Sequence, residues 1–354
     1  MNKDDKLPPN KDAPLSRETQ VTPDQNKEIK ILDLFSGTGA FSLAFDSFKS
    51  QSDVSQCINF NSVCSNDIEK SSEVIYKANF PDSNFILKDI HDIDVSNISV
   101  HNILCGGFPC QPFSIAGLQK GFDDTRSNVF WKILEILTYH KPEIFILENV
   151  KNLKSHDKGN TYKVIIENLM KLNYHVKSSI LDTSKITNVP QHRERIYIIG
   201  FLDKQKYDNF HFDFLNQPNL PIKQFLENTD DIPEKYYYSD KYNSFNIVRD
   251  GVTKTIDENV LYQLRRGYIR ENKSNCCPTM TANMGGGGHN VPLLKDERGI
   301  RKLTPRECFN LQGFPSKYTL PTNLSDSALY KLAGNAVSVP VVKLIVDKLS
   351  KLFE

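Results

Sequence analysis

Between residues 29 and 202, compact apolar runs alternate with helix-period segments, and few architectures accept that order. IKILDLF, VCSND, NFILKDI, HNILCGG, EIFILENV, HVKSSILDT and ERIYIIGFL read as strands. SLAFDSF, EKSSEVIYKANF, SNVFWKILEILTYH and GNTYKVIIENLMKLN read as the helices between them. Strands alternating with helices predict an α/β fold, a mostly parallel sheet with helices on both faces. After residue 203 the pattern weakens: Asn, Asp, Tyr, Pro and Gly rise, and GGGG stands at 285–288. A chain of 354 residues exceeds the usual domain of roughly 100–200, so a smaller, irregular second domain is expected over 203–325. The first domain is then 28–202, residues 326–354 are a helical segment returning to it, and the polar stretch 1–27 is a flexible arm.

Composition narrows the class without naming a function. With 39% hydrophobic and 25% charged residues, the chain reads as a soluble globular protein. No apolar run approaches the ~18 residues of a membrane span, and the N-terminus has no secretory pattern. Seven cysteines, an odd number without C-x-x-C spacing, argue against a disulfide framework or a zinc site. They favour a reducing, cytoplasmic setting and no metal. A net charge of +1 neither indicates nor excludes a nucleic-acid partner.

The first strand ends at Asp33, and FSGTG follows with Gly37 and Gly39. In an open parallel sheet, ligands bind at the carboxyl ends of the strands. The dinucleotide pattern G-x-G-x-x-G is incomplete, because Ser42 holds the third glycine position. A loop without phosphates to cradle suits a nucleoside carrying an amino acid, such as S-adenosylmethionine. Asp67 is placed to accept from ribose hydroxyls and Asp89 from an adenine amino group. Taken singly, each acid reads more readily as a helix cap or a solvated turn, but three at successive strand ends argue for a ligand.

GGFPCQPFS sets Cys110 between Pro109 and Pro112 in a stiff loop. A lone cysteine is ordinarily a buried, inert thiol. This one ends the fourth strand, on the rim that carries the cofactor loop. The fifth strand delivers Glu148–Asn149–Val150 there, and NVPQHRERIYIIG supplies Gln191, Arg193 and Arg195. The two arginines lie two apart and point the same way if extended. In isolation, Glu148 reads as an exposed strand end and the arginines as surface salt bridges to Glu194 or Asp182.

As a set, DLFSGTG, GGFPCQPFS, ENV, QHRER, RKLTPRECFNLQGFP and GNAVSVP resemble the bacterial DNA (cytosine-5) methyltransferase family, in its type II restriction–modification form. The resemblance implies an S-adenosylmethionine-dependent, Rossmann-like catalytic domain and a target-recognition domain. Cys110 would attack carbon 6 of a cytosine flipped out of duplex DNA, so that carbon 5 takes the methyl group. Glu148 would hold N3 and the amino group, Arg195 the base's O2, and Arg193 would orient the site. The cofactor would meet Phe35, Ser36, Gly37, Thr38, Gly39, Ala40, Asp67, Ile68, Asp89, Ile90, Pro109, Gln111, Val129, Asn335 and Ala336, and leave as S-adenosylhomocysteine. The loop after Cys110 would be a lid, with Ser114 and Arg126 on the DNA.

In the second domain, LYQLRRGYIRENKS packs Arg265, Arg266, Arg270 and Lys273 around Tyr262 and Tyr268. Basic residues interleaved with aromatics suit DNA contacts, a solvated face being the alternative. CPTMTANMGGGGHN resembles the family's Thr-Leu segment, which would make Thr279 a phosphate contact. RKLTPRECFNLQGFP is expected to scaffold this domain, with Cys308 packed rather than reactive. The expected protein is a cytoplasmic monomer acting on a short duplex site, often shared with a cognate restriction endonuclease. An RNA cytosine-5 methyltransferase and a silent DNA-binding regulator on the same fold are the alternatives.

Overall fold

The computed structural model describes residues 27–50, 58–109, 129–252, 255–272, 274–286 and 290–353. Seven strands form one sheet in the order β3-β2-β1-β4-β5-β7-β6. They are β1 (Glu28–Leu34), β2 (Asn59–Asp67), β3 (Phe85–Leu87), β4 (Ile103–Gly107), β5 (Ile144–Val150), β6 (His175–Asp182) and β7 (Glu194–Phe201). All run parallel except β7, which is antiparallel to both neighbours. The sheet therefore matches the mostly parallel expectation. Strand order reverses between β1 and β4, and the crevice opened there is the natural ligand site of such a sheet.

Period decides which face each helix covers. Helix α1 (Ala40–Asp46) follows the first loop, and α2 (Lys70–Asn79) follows β2. Helix α1 starts two residues before SLAFDSF, because Gly39 at φ 69° opens it in the left-handed region. In α3 (Val129–His140), Phe130, Ile133, Ile136 and Leu137 make one buried stripe. In α4 (Asn160–Lys171), Thr161, Ile165 and Leu169 do the same at a four-residue spacing. Both helices pack with Leu32, Leu104, Leu147 and Ile198 on one face of the sheet.

The small region is more regular than its sequence suggested. It holds a four-stranded antiparallel sheet, β11-β10-β8-β9, built from β8 (Tyr262–Arg265), β9 (Tyr268–Glu271), β10 (Leu293–Lys295) and β11 (Ile300–Lys302). It also holds helix α5 (Phe245–Gly251), although helical periods were not expected there. Strands of three or four residues are too short to show alternation. Behind them, Arg301 is buried between Asp296 at 2.7 Å and Glu307 at 2.8 Å. Glu307 also closes a capping box with Thr304 at the start of α6 (Pro305–Asn310).

Helices α7 (Asp326–Asn335) and α8 (Val339–Ser350) bring the chain back to the large sheet. Val342, Ile345, Val346 and Leu349 of α8 join Phe41 and Phe45 of α1 in one core with Ile31, Ile146 and Ile199. That core continues through Leu261, Met280 and Phe309, so the two sheets share it, and Cys308 is packed inside it. The stretch Asp326–Ser350 is apolar and long enough to cross a membrane, but 72% of its apolar window is buried in this core.

Candidate active site

The loop after β1 is shaped by three left-handed residues, Phe35 at φ 53°, Gly37 at 51° and Gly39 at 69°. A side chain at Gly39 would sit 2.5 Å from the Phe80 ring, so no other residue fits that turn. For Phe35 the same conformation is strained, as residues at ligand sites often are. The loop is held by backbone bonds from Ser36 to the Asn66 carbonyl and from Gly39 to the Ser36 carbonyl. Asp67 accepts from Gly37 N at 2.9 Å through Oδ2 and from Glu69 N at 2.8 Å through Oδ1.

Asp33 does not reach the ligand side, contrary to its reading as one of three rim acids. It is wholly buried beneath the loop, where Ser42 Oγ donates to its Oδ2 at 2.9 Å. Ser42 also meets the Tyr76 hydroxyl at 2.7 Å, and Tyr76 meets Ser65 at 2.6 Å. This gives the serine at the third glycine position a structural task. Burial raises the Asp33 carboxyl to about 7.

A cavity of about 360 Å³ opens at the strand reversal. Phe35, Ser36, Gly37, Thr38, Ala40 and Asp67 line it from the first two strand ends. Gly107, Phe108 and Pro109 line it from β4, and Glu148–Val150 from β5. Asn335, Ala336 and Val337 close it from the C-terminal segment, and Arg193 and Arg195 reach it from the start of β7. The structure thus gathers most of the expected catalytic and cofactor residues around one space.

Five expected cofactor residues lie apart from it. Gly39 turns beneath the loop. Ile68 is 61% exposed, and Ile90 and Val129 are buried in the core. Asp89 accepts from both the backbone and the ring of His91, at 3.0 and 2.7 Å, which holds its carboxyl below the ordinary range. Cys110, Gln111, Ser114, Arg126, Lys273 and the lid loop lie outside the described residues. Pro109, the residue before Cys110 in sequence, is on the cavity wall.

Glu148 is buried on the cavity wall, not exposed. Arg195 Nε lies 3.2 Å from its Oε1, an ion-pair contact without hydrogen-bond alignment, so Oε1 has no hydrogen-bond partner. Burial pushes the Glu148 carboxyl up, and the Arg195 and Arg193 charges oppose that rise. A side chain at Gly107 would come within 3.3 Å of Glu148 Oε2 and 3.2 Å of Val337, so glycine keeps that passage open.

Arg193 is bound to backbone rather than to acid. Its Nη1 donates to the Met280 carbonyl at 3.0 Å, and its Nη2 to Gly334 at 3.3 Å and Ala336 at 2.6 Å. Desolvation lowers it to about 9, neighbouring Arg195 adding to the effect. Three segments far apart in sequence are tied at this one guanidinium. Gln191 adds a second tie, donating to the Leu311 carbonyl at 2.6 Å. At the same junction, Gly334 approaches Thr281 so closely that a Cβ would fall 2.2 Å from its carbonyl.

In the small sheet, Arg265, Arg266 and Arg270 are exposed on the β8–β9 hairpin, which turns through Gly267 at φ 84°. Thr279 donates its hydroxyl to the His192 carbonyl, next to Arg193.

Asn149, expected on the rim beside Glu148, has a further task there, and other residues escaped the sequence reading. Asn149 donates to the Phe108 carbonyl at 2.9 Å and so fixes the β4 rim against β5. Glu69 and Lys331 line the cavity and pair at 3.0 Å, but no motif marked them. Tyr197 continues the two-residue step of Arg193 and Arg195, a signal that was available.

Comparison with known proteins agrees with this geometry. The profile of the C-5 cytosine-specific DNA methylase family matches residues 29–351. The chain is 43% identical to the type II methyltransferase M.Bsp6I of Bacillus sp. (strain RFL6) over 91% of its length and 99% of the relative's. It is 38% identical to M.HaeII of Haemophilus aegyptius, over 91% and 93%. Among solved structures, a Spodoptera frugiperda DNMT2 mutant superposes with a TM-score of 0.68 at 22% identity, over 91% of this chain and 99% of that one. A fold likeness at that identity speaks for architecture alone. The chain belongs to the C-5 cytosine-specific DNA methylase family. It is a DNA cytosine-5 methyltransferase of the type II restriction–modification kind, acting on DNA at a specific site.

Proposed function

We propose that this enzyme methylates carbon 5 of a cytosine rotated out of duplex DNA, through a transient bond from Cys110 to carbon 6, with S-adenosylmethionine as donor. The observation that carries the reading is Glu148: a buried carboxyl with a raised pKa, flanked by two arginines on the wall of a cavity. The cavity suits the cofactor. Thr38 Oγ1 is buried there without a partner, Asp67 fronts it, and the Phe35 ring forms part of its wall. When bound, S-adenosylmethionine supplies an electrophilic methyl group on a sulfonium centre.

The residues divide the remaining work. The Cys110 thiolate adds to carbon 6, forming the S–C6 bond and breaking the C5=C6 double bond. Electron density moves toward N3, and the protonated Glu148 carboxyl holds it there. Arg195 holds O2, and carbon 5 becomes nucleophilic enough to accept the methyl group. Loss of the carbon 5 proton restores the double bond as the S–C6 bond breaks and the thiolate leaves. Attack at carbon 6 comes from above the ring plane, which stacked neighbours block in a duplex, so the base must leave the stack.

Residues 28–202 with 326–354 make the catalytic unit, and 203–325 the unit that reads DNA. Arg265, Arg266, Arg270, Lys273, Thr279, Ser114 and Arg126 contact the duplex in this reading. The enzyme works in the bacterial cytoplasm and protects host DNA from a nuclease of the same specificity. Bisulfite sequencing of plasmid DNA from cells expressing the protein tests the reading. One cytosine, fully protected in one short sequence context, is expected. Unmodified DNA from cells containing the folded protein would overturn it.

A further inference from the structure

In the antiparallel pairing of β5 with β7, the residue directly opposite Glu148 is Tyr197, not either arginine. Arg195 stands opposite Val150, one diagonal step away. Side chains two apart on a strand share a face, and directly opposed residues have Cβ atoms about 4.5–5.5 Å apart. Glu148 is thus flanked along β7 by Arg195 toward the rim and Tyr197 toward the core. Tyr197 is 1% exposed, and its hydroxyl is buried without a hydrogen-bond partner. Glu148 Oε1 is also buried and unpartnered. Two such atoms on opposed residues are unusual, because each costs about 1–3 kcal/mol if it stays unpaired.

The two Glu148 oxygens face different surroundings. Oε2 lies where Gly107 leaves space, toward the cavity. Oε1 lies on the side of Arg195. No charged side chain comes from β4 at Gly107 or from the closing segment Gly334–Val337, so among the described residues the titratable and charged groups around this carboxyl are Arg193, Arg195 and Tyr197.

We propose that Tyr197 is a positioning residue for the reaction: its hydroxyl donates to Glu148 Oε1 when the base is bound, leaving the carboxyl proton on Oε2, where N3 of the cytosine lies. The inference rests on the reading that Glu148 meets the ring. No covalent bond changes; the phenol keeps its proton throughout, and burial beside Glu148 drives that proton's loss far upward.

The sign of the effect follows from the donor. A hydroxyl donating to a carboxylate favours the ionised form, so removing it raises the pKa of Glu148. Turnover needs the protonated carboxyl, so the alkaline limb of kcat should move up in pH. Tyr197→Phe keeps the ring and deletes the hydroxyl. We expect kcat near neutral pH to fall about tenfold, the alkaline limb to move up, and the KM for S-adenosylmethionine to stay unchanged. Replacing Tyr197 with 2,3-difluorotyrosine, whose hydroxyl is a stronger donor, should move the limb down instead. Unchanged limbs in both folded variants would overturn the proposal. Glu148→Gln separates the two claims. If it is inactive while the Tyr197 variants match the parent, only the tyrosine's role fails; if it is fully active, the reading beneath it fails as well.

Discussion

The rim of the large sheet and the hairpin of the small one both carry arginines, and they hold them in opposite ways. Arg193 is buried and donates to three carbonyls from two other segments, and Arg195 is largely buried against Glu148. On the hairpin, Arg265 and Arg270 are exposed; among the described residues Arg265 donates to Gln263 of its own strand, at 2.9 Å. Chemistry needs groups fixed before the substrate arrives, because reorganisation at the moment of reaction is costly. Recognition of DNA instead uses groups that exchange water and counterions for phosphate and base edges. The same residue type is thus part of the scaffold in one region and, in the proposed function, left for DNA in the other.

The largest effect should come from the rim. Glu148→Gln should lower kcat by about 10²–10⁴-fold with cofactor binding retained, as single-turnover kinetics and calorimetry would read. Losing an arginine from the hairpin should leave kcat intact at saturating DNA. Stability comes next. Arg193→Ala leaves three buried carbonyls without their donor and should cost ~3 kcal/mol or more in denaturant unfolding. Arg266→Ala should leave the unfolding midpoint where it is.

Asp33 gives a pH test of how tightly the loop after β1 is built. Its folded carboxyl titrates at about 7 against 3.8 for the free side chain. Between those values the folded state holds a proton that the unfolded chain has lost. This group therefore makes stability fall as pH rises from about 4 to 7, with a slope of up to about 1.4 kcal/mol per pH unit. Asp33→Asn, which still accepts from Ser42, should flatten that part of the stability profile. The smallest effects belong to the hairpin. Arg265→Ala and Arg270→Ala should each weaken DNA binding several-fold and reduce the salt slope by about 0.9 for each phosphate that is no longer neutralised. An unchanged slope would move the DNA-reading surface elsewhere.

This contrast also explains what the sequence made legible. Seven strands were readable because a parallel sheet buried on both faces needs apolar runs, as in IFILENV. The rim residues were readable because strand ends in such a sheet converge on one crevice, whatever lies between them in sequence. Asp33 misled because position at a strand end does not say which way a side chain points; Ser42, itself bonded to Tyr76, holds it underneath. Tyr197 was passed over because a tyrosine in an apolar strand looks like core, and only the register sets it opposite Glu148. The small sheet was illegible because its strands are three or four residues long. The junction at Arg193 was hidden too, since no local pattern announces a contact between residues 193 and 336.

The covalent step can be tested directly once bisulfite sequencing has given the target site. The enzyme is incubated with S-adenosylmethionine and a duplex carrying 5-fluorocytosine at that site, where the fluorine cannot leave as the carbon 5 proton does. The account predicts a protein–DNA complex that survives heat and denaturant and is absent in Cys110→Ser. Efficient methylation of the unmodified duplex with no such complex on the fluorinated one would contradict it.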